Sequence, residues 1–442
     1  MARESSVDHP ANLPASRLSD EGTRRGPIAR WMVSGLRHYL GDTPVRLDLW
    51  GALIDEPREG PALVSVRIRS PRVALQLAYN PWLHFGEAYM RGDLDVEGDL
   101  LALLTGIYRA AISRSVGRPV VERASTGLTR NTMPRSRANV HHHYDLGNDF
   151  YRLWLDRDLV YTCAYFPTSD APLEEAQEAK LEYVCRKLRL EPGEHVVEAG
   201  CGWGALALYM ARRHRVKVTA FNISTEQIAY ARARARTEGL DRQVEFVEAD
   251  YRMIDGRYDA FVSIGMLEHV GPARFAALGD VIARVLDPVT GRGLLHFIGR
   301  DRPGALNPWI RRRIFPGAYP PTLPEVFTRV FEPHGFSVSD VENLRRHYAL
   351  TLRQWRARYE RAADTVRAMF DEAFTRAWRL YLAGSEAAFL TGSLQLFQVV
   401  FTPRGSTRLP STRADVYRGL HVGGAVPAPA GLLDRTAGGR NP

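Results

Sequence analysis

The sequence contains little cysteine, little lysine and no long apolar run. The spacing of its three cysteines, Cys163, Cys185 and Cys201, fits neither a disulfide framework nor a metal site, so we expect reduced thiols and no bound metal. The N-terminal segment lacks the apolar core of a secretory signal, and no segment approaches the ~20 apolar residues that span a bilayer. We therefore expect a soluble cytoplasmic protein that reaches a membrane only from its surface.

Arginine supplies nearly all of the positive charge. Lysine and arginine together number 59 against 50 acidic residues, a formal net charge of +9, and Lys180, Lys187 and Lys217 are the only lysines. Arginine binds phosphate through two donors, but a genomic base-composition bias produces the same skew. Because no nucleic-acid recognition motif accompanies the arginines and +9 is small for 442 residues, we expect no nucleic-acid partner.

With 45% hydrophobic and 25% charged residues, the composition is that of a globular protein of two or three domains. Patterning divides the chain into a flexible arm (1–40), a small α+β domain (41–112), an arginine-rich linker (113–139), a large domain (140–404) and a tail rich in glycine and proline (405–442). In the small domain, alternating apolar residues predict strands over 64–70 and 73–77, separated by a turn at Ser70-Pro71, and a helix over 100–111.

The large domain alternates apolar strands with helices. Strands are predicted over 195–198, 216–221, 244–247, 258–263, 293–298 and 394–401, and helices over 205–213, 225–236 and 272–286. This alternation predicts an α/β fold, a mostly parallel sheet with helices on both faces.

A glycine loop follows the first of these strands and opens a helix. It reads Glu198-Ala-Gly200-Cys201-Gly202-Trp-Gly204, and its glycines permit a tight turn and close backbone approach to a ligand. The order G-x-G-x-G differs from the dinucleotide pattern, and an acid stands two residues before the first glycine. Both features favour S-adenosylmethionine, because Glu198 would accept a hydrogen bond from its methionine ammonium group. A tight turn without a ligand is the alternative.

Polar residues also follow the second and third strands. Asn222 and Gln227 are expected to hydrogen-bond the ribose hydroxyls, although Ser224 with Gln227 also fits a helix capping box. Asp250 and Tyr251 are expected at the adenine, as an acceptor and a flat face. A turn followed by a packed aromatic ring is the alternative there.

Several longer motifs make the sequence resemble a known family. They are His143-Tyr-Asp-Leu-Gly-Asn-Asp149, Tyr161-Thr-Cys-Ala-Tyr-Phe166, Gly265-Met-Leu-Glu-His-Val-Gly271, Leu294-Leu-His-Phe-Ile298 and Ile314-Phe-Pro-Gly317, together with the glycine loop. Over about residues 140–402 the chain resembles the cyclopropane fatty-acyl-phospholipid synthases and the mycolic acid cyclopropane synthases. The piece from Phe85 to Asp93 resembles that family's N-terminal lipid-binding domain.

The resemblance implies a fold and a reaction. The fold is a Rossmann-like class I methyltransferase with a mostly parallel seven-stranded sheet, preceded by a small α+β lipid-binding domain, and relatives with that domain form homodimers. In the reaction, the double bond of an unsaturated acyl chain in a membrane phospholipid takes the methyl of S-adenosylmethionine. The resulting carbocation loses a proton to a bound bicarbonate ion, and the cyclopropane ring closes.

The resemblance also implies site residues. Bicarbonate would be held by Cys163, Glu268, His296, the backbone at Ile298, and Tyr348, and the cofactor would be reached by His143, Tyr161, Thr162, Gly200, Cys201 and Gly202 besides the polar residues above. A deprotonating centre beside hydrocarbon must be small, basic and shielded from water. Glu268 would accept the bicarbonate proton, while Tyr165, Phe166 and Tyr348 would face the carbocation.

Simpler roles exist for some of these residues. Buried thiols are usually small hydrophobes, which we expect for Cys185 and Cys201, and a histidine in a buried strand is often a hydrogen-bonded core residue. At Ser385 several family members have cysteine, so either a thiol is dispensable there or the activity is altered. We favour the first, because methyl transfer to an alkene needs no covalent nucleophile, and expect Ser385 only to line the pocket.

The phospholipid substrate requires peripheral docking on the inner face of the membrane. Arg300, Arg302 and Arg311–Arg313 cluster beside Trp309, Ile314 and Phe315, which suits an anionic interface; a solvated arginine-rich loop is the alternative. Two other functions keep the same fold: formation of a methyl-branched or methylene acyl chain, and non-catalytic lipid binding. The second is disfavoured by the presence of Cys163, Glu268, His296 and Tyr348.

Overall fold

The computed structural model describes residues 27–115, 133, 146–406, 408–409 and 412–417. Most of the predicted linker, and His143 with it, lies outside the described residues. Among those that are described, no helix has the length and apolar character needed to cross a membrane.

The small domain combines a four-stranded sheet with four helices. Its elements are α1 (Pro27–Leu40), β1 (Val45–Leu49), β2 (Leu53–Asp55), β3 (Val64–Ile68), α2 (Pro71–Tyr79), α3 (Pro81–Arg91), β4 (Leu94–Gly98) and α4 (Leu100–Ser115). The strand order is β2-β1-β3-β4, with β1 and β3 parallel and the outer pairs antiparallel. Alternate residues of β1 and β3 are buried, because one face of the sheet packs against the helices.

Two predictions for this region are wrong. Residues 73–77 are helical, since Ser70 caps α2 by accepting from the amide of Val73 and Pro71 occupies the first turn, where a missing N–H costs nothing. The expected flexible arm over 1–40 is helical from Pro27, because Met32 and Leu40 are buried in the hydrophobic core. The predicted helix over 100–111 is confirmed as α4.

The large domain contains seven strands and the helices that cover them. Its elements are α5 (Asn148–Arg152), α6 (Leu173–Leu188), β5 (His195–Ala199), α7 (Ala205–His214), β6 (Lys217–Asn222), α8 (Thr225–Thr237), β7 (Val244–Glu248), β8 (Ala260–Ile264), α9 (Leu267–Val270), α10 (Phe275–Val285), β9 (Arg292–Gly299), α11 (Pro308–Arg313), α12 (Leu323–Val326), β10 (Ser337–Asn343), α13 (Arg345–Arg361), α14 (Ala363–Met369), α15 (Glu372–Thr391), β11 (Gln395–Thr402) and α16 (Ala414–Tyr417).

The sheet order is β10-β11-β9-β8-β5-β6-β7. The five strands from β9 to β7 are parallel, and β11 runs antiparallel to both β9 and β10. Adjacent residues of β5 face opposite sides: Val196 packs with α6, α7 and α8, and Val197 packs with α10. The predicted α/β fold, with a mostly parallel seven-stranded sheet, is confirmed.

Part of the predicted tail packs on the large domain. Val416 of α16 is buried, Arg408 pairs with Glu194 at 2.9 Å, and Arg189 donates to Asp415 at 3.0 Å. These contacts attach residues 408–409 and 412–417, so the expectation that the chain beyond 405 is all tail is wrong.

Contacts of Glu87 and Gly86 help to fix the small domain against the large one, besides the hydrogen bonds that Arg376 donates to Tyr89, Leu94 and Asp95. The Glu87 carboxylate of α3 accepts from Nε and Nη2 of Arg313, each at 2.8 Å. Beside this pair, a Cβ on Gly86 would lie 2.4 Å from the indole of Trp309, so only glycine allows the ring to sit against α3. The junction places the small domain beside the carboxyl edge of the large sheet.

Candidate active site

One cavity of about 720 Å³ contains the predicted site. Every described member of that site lines it: Tyr161, Thr162, Cys163, Glu198, Gly200, Cys201, Gly202, Asn222, Gln227, Asp250, Tyr251, Glu268, His296, Ile298, Tyr348 and Ser385. Most lie at or just beyond the carboxyl ends of β5, β6, β7, β8 and β9, where ligands bind in open α/β sheets.

Glu198 stands at the end of β5, at the floor of the glycine loop. Its side chain is buried, and Oε2 has no hydrogen-bond partner among the described residues. Burial raises the pKa of this carboxyl to about 8. Gly200 and Gly204 have φ of 87° and 85°, in the left-handed region that favours glycine. A buried carboxyl group below such a loop suits a cationic ligand, in addition to the charge of Lys180 that already acts on it.

Asn222 and Gln227 form a pair of amides at the end of β6. Asn222 Nδ2 donates to Oε1 of Gln227 at 2.7 Å, and Nε2 of Gln227 is buried with no partner in the described chain. Ser224 caps α8 by accepting from the amide of Gln227 at 3.3 Å. Ser224 therefore caps the helix, but Oε1 of Gln227 accepts from Asn222 and does not complete the predicted capping box. The cap uses the backbone of Gln227 and leaves its side-chain N–H for a ligand.

Asp250 and Tyr251 follow β7. The Asp250 carboxylate accepts from Nε and Nη2 of Arg252 at 2.6 and 2.7 Å, which fixes its orientation. Burial raises the pKa of Tyr251 to about 12, so its hydroxyl stays protonated. Both residues line the cavity, as their predicted place beside the adenine requires.

A second group of polar side chains in the cavity consists of Glu268, His296, Cys163 and Tyr348. Oε1 of Glu268 accepts from the backbone N–H of Ile298 at 2.5 Å, while Oε2 is buried without a partner among the residues described. Burial raises the pKa of this carboxyl to about 7. The N–H of Ile298, which the resemblance implies as a bicarbonate ligand, already donates to Glu268.

His296 lies in β9, and its ring bonds across the sheet to Gln398. The amide nitrogen of Gln398 is 3.1 Å from Nδ1 of His296, and Nε2 has no partner in the described part of the chain. Burial lowers the pKa of the ring well below its usual value, so the imidazole is neutral. With Nδ1 accepting, the ring hydrogen sits on Nε2 and is available as a donor.

Cys163 and Tyr348 complete this group. Burial raises the pKa of the Cys163 thiol well above its usual value, so it is a neutral thiol, as a hydrogen-bond donor must be. Its Sγ donates to the carbonyl of Ala164 at 3.2 Å. The Tyr348 ring packs on Phe389, with centroids 4.4 Å apart. This part of the cavity therefore combines one carboxyl group, that of Glu268, with neutral donors and apolar side chains.

Comparison with known proteins decides the family. Residues 131–399 match the family described as mycolic acid cyclopropane synthetase, and residues 36–116 match a domain of unknown function. The chain belongs to the mycolic acid cyclopropane synthetase family.

Individual relatives agree with this assignment. A probable fatty acid methyltransferase of Pseudomonas putida is 35% identical over 388 residues, 85% of this chain and 96% of that protein. The cyclopropane-fatty-acyl-phospholipid synthase of Escherichia coli K12 is 35% identical over 348 residues, 78% of this chain and 89% of that protein. The structure of mycolic acid cyclopropane synthase CmaA1 complexed with SAH and CTAB matches with a TM-score of 0.57 at 32% identity, covering 60% of this chain and 97% of that one. The predicted family and Rossmann-like methyltransferase fold are confirmed, and the SAH-bound relative supports S-adenosylmethionine as cofactor.

The aromatic residues of the family motif divide into two groups. Tyr161 lines the cavity, and its hydroxyl lies 2.7 Å from that of Tyr381. Tyr165 instead stacks between Tyr183 and His347, at 4.4 and 4.7 Å. Since neither Tyr165 nor Phe166 is among the residues that line the cavity, their predicted contact with a carbocation is wrong.

The predicted arginine-rich docking cluster is partly used in other contacts. Trp309 and Ile314 are buried, and Arg313 pairs with Glu87 at the domain junction. These three residues help to hold the two domains together, while the side chain of Arg312 stays 62% exposed. Membrane docking by this cluster stays a prediction.

Lys180 was not predicted as a site residue. It lies on the buried face of α6, donates to Oγ1 of Thr162 at 2.9 Å and lines the cavity. Burial lowers its pKa to about 8, against the opposing charges of Asp156 and Glu198. The rarity of lysine in this arginine-rich sequence was the signal that could have pointed to Lys180.

Proposed function

We propose that this protein transfers a methylene group from S-adenosylmethionine to the cis double bond of an unsaturated acyl chain in a membrane phospholipid, giving a cyclopropane fatty acid. One observation carries the proposal. Two buried polar atoms, Oε2 of Glu268 and Nε2 of His296, belong to residues that line a cavity with mostly apolar walls, and neither atom has a partner among the described residues. Unsatisfied buried polar groups are costly, so a small polar ligand at this site is the simplest account.

Bicarbonate fits this donor set. The N–H of His296 and the hydroxyl of Tyr348 are neutral donors suited to an anion, and the thiol of Cys163 would become a weaker one only by turning away from the carbonyl of Ala164. Oε2 of Glu268 would accept the hydrogen of the bound ion and thereby raise its basicity. The chemistry that bicarbonate supplies when bound is abstraction of a proton from the newly transferred methyl.

The chain's own residues supply position and shielding. Glu198 would hold the methionine ammonium, and Gln227 a ribose hydroxyl, on the cofactor side of the cavity. The faces of Tyr161 and Tyr348 would stabilise positive charge on the acyl chain. Buried surroundings keep water from the cation. We also propose a homodimer that docks peripherally on the membrane, as the resemblance implies.

The test uses purified protein, S-adenosylmethionine and vesicles of unsaturated phospholipid, in carbon dioxide-free buffer with and without added bicarbonate. We expect the lipids to gain the mass of one CH2, and bicarbonate to be required. His296→Ala should remove the activity and leave S-adenosylmethionine binding intact. A mass gain that is indifferent to bicarbonate contradicts the role assigned to the Glu268 and His296 atoms. A product with vinyl or branched-methyl signals identifies the alternative reaction, in which a different proton is lost.

A further inference from the structure

Lys180 of α6 sets the direction of the hydrogen bonds at the hydroxyl of Thr162. Its side chain is buried, and Nζ donates to Oγ1 of Thr162 at 2.9 Å. Burial lowers the pKa of Lys180 to about 8, so its ammonium form predominates at pH 7. Because an ammonium group has three donors and no acceptor, the hydroxyl oxygen must accept in this pair. The hydrogen of the Thr162 hydroxyl is therefore directed to a different acceptor.

The loop that carries Thr162 is fixed against α6. One turn before Lys180, Nε2 of Gln177 donates to the carbonyls of Val160 and Thr162 at 3.2 and 2.9 Å. The methyl group of Thr162 lies beside Gly265, which follows β8, since a Cβ there would come 3.1 Å from Cγ2. With its carbonyl bonded and its methyl packed, Thr162 can offer its hydroxyl hydrogen to a ligand in the cavity that it lines.

Lys180 also acts on Glu198. Both residues line the cavity, and the charge of Lys180 lowers the pKa of the Glu198 carboxyl against the effect of burial. The neighbourhood of this one lysine thus provides a carboxyl group for a cation and, at Thr162, a donor for an anion. An α-amino acid carries an ammonium and a carboxylate on the same carbon atom. The two side chains therefore match the methionine end of S-adenosylmethionine.

We propose that Thr162 donates to the methionine carboxylate of S-adenosylmethionine and that Lys180 is the positioning residue that makes Thr162 a donor. Lys180 acts through the hydroxyl of Thr162. The inference rests on the part of the proposed function that places the methionine ammonium at Glu198, and it deepens that part by naming what holds the neighbouring carboxylate. It is independent of which lipid accepts the methyl.

Decarboxylated S-adenosylmethionine is the probe, because it keeps the ammonium and the sulfonium and lacks the carboxylate. Calorimetry at pH 7 measures the affinity of each full-length protein for S-adenosylmethionine and for the probe. The ratio of the two affinities reports on the carboxylate, since an effect through Glu198 acts on the ammonium that both ligands share.

Thr162→Val tests the donor. It should lower the affinity ratio about tenfold, on the scale of a hydrogen bond to a charged group, while Thr162→Ser, which keeps the hydroxyl, should leave the ratio unchanged. Equal loss of affinity for both ligands in Thr162→Val would overturn the inference, because the hydroxyl would then not serve the carboxylate.

Lys180→Met tests the positioning role. It should lower the affinity ratio about as much as Thr162→Val does, and the double variant should lower it no further, because the lysine acts through the hydroxyl. A double variant whose loss equals the product of the two single losses would show that Lys180 acts independently of Thr162. That result would overturn the inference.

Lys187→Met is the matched control. Lys187 is also a buried lysine of α6, but it pairs with Asp340 and Glu342 at 3.0 and 2.6 Å and does not line the cavity. Its removal should leave the affinity ratio unchanged, and a fall equal to that of Lys180→Met would contradict the assigned role. Thermal unfolding verifies that each variant folds, and Thr162→Val decides the donor role if Lys180→Met is unstable.

Failure of this inference differs from failure of the proposed function. An affinity ratio that falls as expected, together with no change in lipid mass, would refute the proposed acceptor and leave the roles of Thr162 and Lys180 standing. A ratio that is unchanged in Thr162→Val would overturn the inference alone. A wild-type protein that binds neither ligand would overturn the inference and the cofactor assignment together.

Discussion

Gln398 determines which nitrogen of His296 carries hydrogen. The two residues are directly paired in the register of β11 and β9, and the Gln398 amide nitrogen lies 3.1 Å from Nδ1 of the ring. Because the amide donates to Nδ1, the neutral ring carries its hydrogen at Nε2, and His296 lines the cavity. Gln398 is thus a positioning residue that acts through His296.

Gln398→Leu should therefore impair the use of bicarbonate. We expect half-maximal activity to require about tenfold more bicarbonate, on the scale of one lost hydrogen bond. Binding of S-adenosylmethionine should be unchanged. Gln395→Leu is the control, since Gln395 lies in the same strand and does not line the cavity. The measurement is initial rate against bicarbonate concentration. Equal effects of the two variants would show a structural role.

Glu268→Gln should stabilise the protein while removing its activity. Burial raises the pKa of Glu268 from 4.5 to about 7, so between these values the folded state binds more protons than the unfolded state and stability falls as pH rises. The variant avoids a loss of about 3 kcal/mol, which is fully present above pH 7 and absent below pH 4.5. Urea unfolding across this range measures the gain. The control, Glu226→Gln on the exposed surface of α8, should show none.

Binding of S-adenosylmethionine should release a proton near neutral pH. Glu198 has a pKa raised to about 8 by burial, and a cationic ligand favours its ionised form. Affinity should therefore rise with pH up to about 8. Glu198→Gln should abolish the proton release and weaken binding at least tenfold, on the scale of a charged hydrogen bond of about 1.5–3 kcal/mol. Calorimetry in buffers of different ionisation enthalpy measures both; proton uptake on binding would contradict this account.

Lys180→Met should move this pH dependence upward. The charge of Lys180 lowers the pKa of Glu198 against the effect of burial, so its removal raises that pKa further. We expect tight binding of S-adenosylmethionine to require higher pH than in the wild-type protein. Lys217→Met, at an exposed lysine on β6, is the matched control. An unchanged midpoint in Lys180→Met would separate Lys180 from the cofactor site.

Ser385→Cys and Ser385→Ala should both retain wild-type activity. Ser385 lines the cavity, but the proposed reaction passes through no covalent enzyme intermediate. The rate of lipid modification by the two variants checks this. Loss of activity in Ser385→Ala alone would assign the hydroxyl a role that the proposed mechanism does not contain.

Local patterns predicted the central strands of the large domain well because most of their residues are apolar and buried. Strand β10 was missed, since it lies at the sheet edge with no fully buried residue and its sequence is mostly polar. In the small domain, Ser70-Pro71 was interpreted as a turn between strands, although the same pair is a helix start. Gln398 and Lys180 were not predicted as site residues for another reason. Their roles depend on contacts with His296 and Thr162, which are distant in sequence.

The most direct test of the central claim is proton NMR of the lipid product. Vesicles containing a cis-unsaturated phospholipid would be incubated with the wild-type protein, S-adenosylmethionine and bicarbonate, and the extracted lipid examined for ring protons. The proposed function predicts upfield cyclopropane signals that grow as the vinyl signals decline, with one CH2 gained per modified chain. Unchanged vinyl signals, from a protein shown to bind S-adenosylmethionine, would contradict the claim that this cavity acts on phospholipid.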